Sequence, residues 1–131
     1  MRRFIVSSAI LLSFLAPSYA RAEPITPKSL AGKWTVTVPA ANGPAMTTTL
    51  AVSGDMKFSG VATVDNKVYW EYSGRWELKD RQLTWFYEKS SKTLPESAKI
   101  DIDDVVSVSA KELVLASKTD GKKSVLARVK E

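Results

Sequence analysis

Apolar residues recur at every second position through most of the chain beyond residue 30. The pattern is clearest in "KVYWEYSGRWELK", residues 67–79, where one side carries Val68, Trp70, Tyr72, Gly74, Trp76 and Leu78. Because side chains alternate between the two faces of a strand, this segment predicts a strand with one apolar and one solvated face. Gly74 interrupts the apolar face, which predicts a bend or the close approach of a neighbouring backbone.

Shorter segments with the same alternation fill the rest of the chain, and turn-forming residues separate them. They predict eight strands, at residues 32–38, 45–53, 57–64, 67–79, 81–89, 99–109, 111–117 and 123–130. Asp120-Gly121 is typical of a tight hairpin turn. Eight strands joined by short links predict an all-β, antiparallel up-and-down eight-stranded barrel, because closure removes exposed sheet edges. A sandwich of two sheets is the alternative.

The N-terminal segment has the three parts of a secretory signal peptide. Arg2 and Arg3 precede an apolar run from Phe4 to Leu15, and two sites with small residues at alternate positions follow, Ser18-Tyr19-Ala20 and Ala20-Arg21-Ala22. The apolar run is shorter than the roughly 20 residues that a membrane-spanning helix needs. We therefore expect a signal peptide at residues 1–22, cleaved after Ala20 or Ala22, and one domain at 23–131. The expected location is the periplasm or the medium, with no stable membrane anchor after cleavage.

Composition restricts the function further. The chain has 19 Lys and Arg against 14 Asp and Glu, and cleavage after Ala22 removes three arginines and no acid. The remaining lysines are scattered among acidic residues, so no nucleic-acid partner is expected. Cysteine and histidine are absent, which excludes disulfides, Ser–His and Cys–His catalysis and the common zinc ligand sets. We expect a protein that is not an enzyme and holds no cofactor.

Gly32 and Trp34 open the first predicted strand after "TPKSL", and Arg128 lies in the last strand, "SVLARVK". In this arrangement the chain resembles the small bacterial lipocalin-like barrels of the calycin group. The resemblance implies that Trp34 plugs the closed end of the barrel and that Arg128 lies across its ring. It assigns Gly32, Trp34 and Arg128 to structural closure, where a guanidinium covers a large aromatic face and keeps its charge near water.

The first third of the chain also resembles the avidin-like biotin binders through "SLAGKWT", "AMTTTLAV" and "FSG". The polar residue that this resemblance implies two positions after the tryptophan is Val36 here. The aromatic hydroxyl that it implies after "SG" is replaced by Ala62. Buried polar groups of a ligand are costly to leave unpaired, so biotin binding is not expected.

An aromatic cluster is predicted inside the barrel, on the central hairpin. Its members are Trp70, Tyr72 and Trp76 on one strand and Leu83, Trp85 and Tyr87 on the next. Two interpretations remain open. The cluster can be a packed core, which the short strands favour, or it can line a site for a small apolar ligand that tyrosine hydroxyls orient. In the second case the ligand-binding residues are Trp70, Tyr72, Trp85 and Tyr87.

The outer face of the same hairpin suggests another function. Tyr69 and Phe86 are predicted to lie beside each other there and to form an exposed apolar patch, which is typical of a partner surface. The alternative function is an interaction protein, and fold analogy alone suggests an inhibitor of a secreted hydrolase as the example. The partner is a small apolar ligand in the first case and a protein in the second.

The segment "KIDIDDVVS" offers three carboxylates, at Asp101, Asp103 and Asp104. The glycine turn and the late bidentate acid of a calcium loop are missing from it, so no metal site is expected. Because Ile100 and Ile102 alternate with the acids, Asp101 and Asp103 are predicted to lie on the solvated face of their strand.

Overall fold

The computed structural model describes residues 22–40 and 42–130, and almost all regular structure in this part of the chain is β-strand. The strands are β1 (Gly32–Ala40), β2 (Gly43–Val52), β3 (Lys57–Val64), β4 (Lys67–Lys79), β5 (Gln82–Ser90), β6 (Ile100–Val108), β7 (Glu112–Ser117) and β8 (Lys123–Arg128). A four-residue helix, α1 (Pro27–Leu30), precedes β1, and a 3₁₀ helix (Glu96–Ala98) precedes β6. The predicted signal peptide lies outside the described residues apart from Ala22.

Each strand pairs in antiparallel fashion with the next, and β8 returns to pair with β1. The closing register places Trp34 opposite Arg128 and Thr35 opposite Ala127. The predicted all-β, up-and-down eight-stranded barrel is therefore confirmed, and the sandwich alternative is wrong. Closure satisfies the hydrogen-bonding groups that an open sheet leaves at its edges.

The two ends of the barrel differ. At one end, which we call the closed end, α1 and the turn at residues 53–56 cover the interior. Trp34 and Trp76 are fully buried there, and the smaller apolar side chains around them are Leu30, Leu83, Val105, Val108 and Leu113. At the opposite end, the open end, lie the loops at residues 65–66, 91–99 and 118–122. The packed-core interpretation thus applies to the closed half of the interior.

Arg128 joins the parts of the closed end. Its Cζ lies 4.1 Å from the centroid of the Trp34 ring. Its Nη1 donates a hydrogen bond to the Ala31 carbonyl (3.1 Å), and its Nη2 donates to the carbonyls of Ser29 (3.2 Å) and Ser109 (3.3 Å). Gly32 adopts φ 143°, and a Cβ there would lie 2.5 Å from Nη1 of Arg128. Gly32, Trp34 and Arg128 thus form one contact group.

Trp76 fixes a second point of the closed end. Its Nε1 donates to the carbonyls of Ser53 (3.2 Å) and Lys57 (3.1 Å), which ties β4 to the turn between β2 and β3. Two residues earlier, a Cβ on Gly74 would collide with the carbonyl oxygen of Phe86. The close backbone approach predicted at Gly74 is therefore present, and the pairing of β4 with β5 shifts register there.

The predicted outer patch of Tyr69 and Phe86 is wrong. Phe86 pairs with Arg75, six residues from Tyr69 and so roughly 20 Å away along the strand. A cation lies 3.9 Å from the centroid of each ring, Arg75 at Phe86 and Lys92 at Tyr69, and Tyr69 remains 54% exposed. A register shift beside Tyr69 also moves Val68 off the interior face. Val68 is therefore 58% exposed.

Candidate functional site

The open half of the barrel contains a cavity of about 150 Å³, to which all eight strands contribute side chains. Its apolar lining comes from Val36, Leu50, Phe58, Leu115 and Leu126. The interior is therefore divided between a filled closed half and an open half with space for a small molecule. An eight-stranded barrel has the interior dimensions for such a division.

Three of the four predicted ligand-binding residues, Tyr72, Trp85 and Tyr87, line this cavity. Phe58 adds a fourth ring that the sequence reasoning missed, although it shares the interior face of β3 with Ala62. The Phe58 centroid lies 4.9 Å from that of Trp85 and 5.4 Å from that of Tyr87, both in edge-to-face geometry. Such contacts hold the rings at defined angles, so the wall of the cavity is preformed.

Gly60 provides the space for Tyr72. The two residues are directly opposed in the pairing of β3 with β4. A Cβ on Gly60 would collide with the Tyr72 ring. The missing side chain thus lets the ring lie against β3, where it becomes part of the cavity wall.

Trp70, the fourth predicted residue, lies at the mouth of the barrel. It lines a second space of about 310 Å³ together with Leu94 and Ile100 at the open end. The Trp70 and Tyr87 rings are nearly parallel, with centroids 6.1 Å apart, and the Trp70 Nε1 donates to Ser90 Oγ at 2.7 Å. Tyr87 and Asp101 line both spaces, so the mouth and the inner cavity adjoin at these residues.

The predicted solvated position of Asp101 and Asp103 is wrong, because both side chains line the inner cavity. The register explains the error. Asp103 is directly opposite Leu83, whose side chain is buried, and directly opposed residues share a face of the sheet. Val105, two residues further along β6, is also buried and indicates the same interior face. Ile100, which alternates with these acids, is 53% exposed, so the isoleucine side of β6 is not the buried one at this position.

Asp103 is a partly buried carboxylate with one specific partner. The Trp85 Nε1 donates to its Oδ2 at 2.8 Å. Burial raises the pKa of Asp103, the Trp85 hydrogen bond opposes that effect, and the charges of Asp101 and Asp104 add to it; the result is a pKa of about 6. None of the described residues that line the cavity is a lysine or an arginine. The cavity therefore has negative charge without a cation in its wall.

Burial also raises the pKa of the Tyr87 hydroxyl far above its usual value, and Tyr72, Asp101 and Asp103 raise it further. Burial raises the pKa of Tyr72 as well. Both hydroxyls thus stay protonated at physiological pH, where they act as neutral hydrogen-bond donors and acceptors. The arrangement can bind and orient a ligand by rings, hydroxyls and carboxylates.

We expect Asp103→Asn to increase the free energy of unfolding at pH 7.5 by about 1 kcal/mol, a value reduced for the partial exposure of the carboxyl. The folded-state pKa lies above the usual value, so the stability from this group is present near pH 4 and is lost as the pH rises through about 6. The gain over wild type should therefore vanish near pH 4. Urea unfolding between pH 4 and pH 7.5 measures it.

The control for this prediction is Asp104→Asn on the same strand, where the carboxylate pairs with Lys118 Nζ at 3.4 Å. It removes the same charge and should give no stabilisation at pH 7.5. A loss of stability in Asp103→Asn at pH 7.5 would contradict the assignment of Asp103 as a carboxylate buried at a cost.

Among residues 22–40 and 42–130, no group of three or more acidic, histidine or cysteine side chains is arranged to hold a metal ion. In the same residues, no helix has the length and apolar character to cross a membrane. Comparison with protein-family models gives no match for this chain, and comparison with curated proteins gives none of significant similarity.

Proposed function

We propose that this protein is an exported binding protein of lipocalin-like architecture that holds a small ring-bearing ligand in the open half of its barrel. One observation carries the proposal. The interior toward the open end contains a cavity whose wall includes the rings of Phe58, Tyr72, Trp85 and Tyr87. Cavities with aromatic walls and a few converging polar groups are the usual form of small-molecule sites.

The dimensions of the two spaces restrict the ligand. A cavity of about 150 Å³ has the volume for a benzene-sized ring, as in engineered apolar cavities of that size. The adjoining mouth, of about 310 Å³, provides space for a substituent beside Trp70 and Tyr87. The ligand is therefore one ring with a short chain.

A partly buried charge supports a binding role as well. Asp103 lies in a cleft and its pKa is raised. Groups of this kind reduce the stability of the fold and are concentrated at functional sites, where binding or catalysis requires them. The alternative, a hydrolase inhibitor acting through its outer surface, rests on fold analogy, and the patch of Tyr69 and Phe86 was its expected contact surface. Those two rings lie apart on the hairpin and form no continuous patch, because Phe86 is paired with Arg75, six residues from Tyr69. Ligand binding is therefore the function that the geometry supports best.

The test uses benzyl alcohol as the ligand and the indole N–H signals of the purified protein in nuclear magnetic resonance spectra. We expect the Trp85 signal to shift on titration. The Trp34 signal should not move, because its Nε1 donates to Leu30 at the closed end. Mass spectrometry of the protein purified from its native cells tests the proposed export. We expect a chain that begins at Arg21 or Glu23.

A matched pair of variants on β2 tests whether the ligand binds in the cavity. Thr48 lines the cavity, and Thr49 lies on the opposite face of the same strand. Thr48→Leu should fill the space and abolish the shift, whereas Thr49→Leu should retain it. Absence of any shift in the wild-type protein at millimolar benzyl alcohol, or a shift that survives Thr48→Leu, would refute the proposed site.

A further inference from the structure

We propose that the ligand is a small organic cation, an amine whose ammonium group lies beside Asp101 and Asp103 while its apolar part packs among the rings. This inference rests on the proposed function and specifies the chemical class of the ligand. It depends on the charge of the cavity wall, on the geometry of the aromatic rings and on the placement of the two carboxylates along the entry path.

The wall of the cavity is negatively charged. Asp101 and Asp103 project into the same cavity, and its described lining residues contribute no cation. A carboxylate removed from water without a counter-charge is unfavourable, and a cation placed beside it restores much of the lost energy. An anionic ligand would be repelled by the same two groups. A neutral ligand would leave their charge uncompensated.

The aromatic rings of the wall suit a cation as well. An ammonium group is attracted to the faces of tryptophan, tyrosine and phenylalanine rings within about 6 Å, most strongly where water is excluded. Around this cavity, the Tyr72 and Tyr87 centroids are 5.3 Å apart, and both lie near Phe58. The same wall thus supplies rings for the cation and apolar surface for the rest of the ligand.

The two carboxylates lie one after the other along the path from the open end. Asp101 lines both the mouth and the inner cavity, whereas Asp103 lines the inner cavity alone. An amine that enters from the open end meets Asp101 first and Asp103 further inside. The Trp85 N–H bond to Oδ2 holds the Asp103 carboxylate in place, and a carboxylate has capacity for several further hydrogen bonds. Asp103 can therefore accept from Trp85 and from an ammonium group together.

The experiment compares three one-ring compounds that differ in charge: benzylamine, benzyl alcohol and benzoate. Binding to the purified protein at pH 7.5 is followed through the Trp85 indole N–H signal. We expect benzylamine to bind at least roughly tenfold more tightly than benzyl alcohol, and benzoate not to bind. In Asp103→Asn the preference for benzylamine over benzyl alcohol should fall to about threefold or less.

Asp104→Asn is the control, because it removes an equal charge from the outward face of the same strand. It should keep the preference for benzylamine. Benzylamine remains protonated at pH 5, so its weaker binding there would report protonation of Asp103. The titratable groups around Asp103 are Asp101 and Asp104 on β6 and the hydroxyls of Tyr72 and Tyr87, which stay protonated at both pH values.

The outcomes separate the two proposals. Equal affinity for benzylamine and benzyl alcohol would overturn the cation assignment and leave the proposed binding function standing. A preference for benzylamine that persists in Asp103→Asn, or disappears in Asp104→Asn, would also overturn it. If none of the three compounds shifts the Trp85 signal, the proposed function fails as well.

Discussion

Replacing Trp34 by alanine should lower the free energy of unfolding by about 3–5 kcal/mol, the usual cost of truncating a fully buried large aromatic residue. Trp34 is completely buried at the closed end. The substitution leaves a cavity there, removes the ring beneath the Arg128 guanidinium and deprives the Leu30 carbonyl of its indole donor. Guanidinium chloride unfolding at neutral pH measures the change.

Trp70→Ala is the matched control, since it truncates the same residue type at the mouth, where the ring is partly exposed. Its cost should be less than half that of Trp34→Ala. Equal destabilisation by the two substitutions would mean that the open end is as tightly packed as the closed end. That result would contradict the division of the interior into a structural half and a ligand-binding half.

Gly74→Ala is the second substitution with a large expected effect, and we expect it to destabilise the protein by about 3 kcal/mol. An alanine Cβ there would collide with the Phe86 carbonyl oxygen, which is backbone and cannot rotate away. β4 and β5 must then separate around the register shift between Ser73 and Gly74. Thermal and urea unfolding measure the loss.

Gly43→Ala tests whether the effect comes from the collision. Gly43 also lies in a strand, but a Cβ there would meet no atom within 4 Å. This variant should be neutral or slightly stabilising, because alanine restricts the unfolded chain more than glycine does. Similar losses in both variants would show that glycine flexibility, and not close packing, is the requirement at Gly74.

Both substitutions act on the part of the molecule that holds the site in position. Trp85 and Tyr87 come just before the register shift on β5, and Gly74 is paired with Tyr87 itself. The positions of the cavity rings therefore depend on the pairing of β4 with β5. A rigid closed end keeps the cavity preformed, which lowers the ordering cost of binding.

The sequence alone determined the architecture. Period-two alternation in eight segments, separated by turn residues, predicts antiparallel strands, and closure removes their edges. The same alternation predicts that Tyr72, Trp85 and Tyr87 lie on the interior face, since each occupies an apolar position of its strand. These features are local, because alternation depends on residues two positions apart along one strand.

Only the tertiary structure decided where the charged residues lie. In β6, isoleucine and aspartate alternate, so the pattern defines two faces without showing which one points inward. The pairing of Asp103 with Leu83 settles the question, because opposed residues on neighbouring strands share a face. Tyr69 and Phe86 were misplaced for a related reason: register shifts beside Tyr69 and at Gly74 change which residues are opposed. Register is a property of two strands together, and one strand's pattern does not contain it.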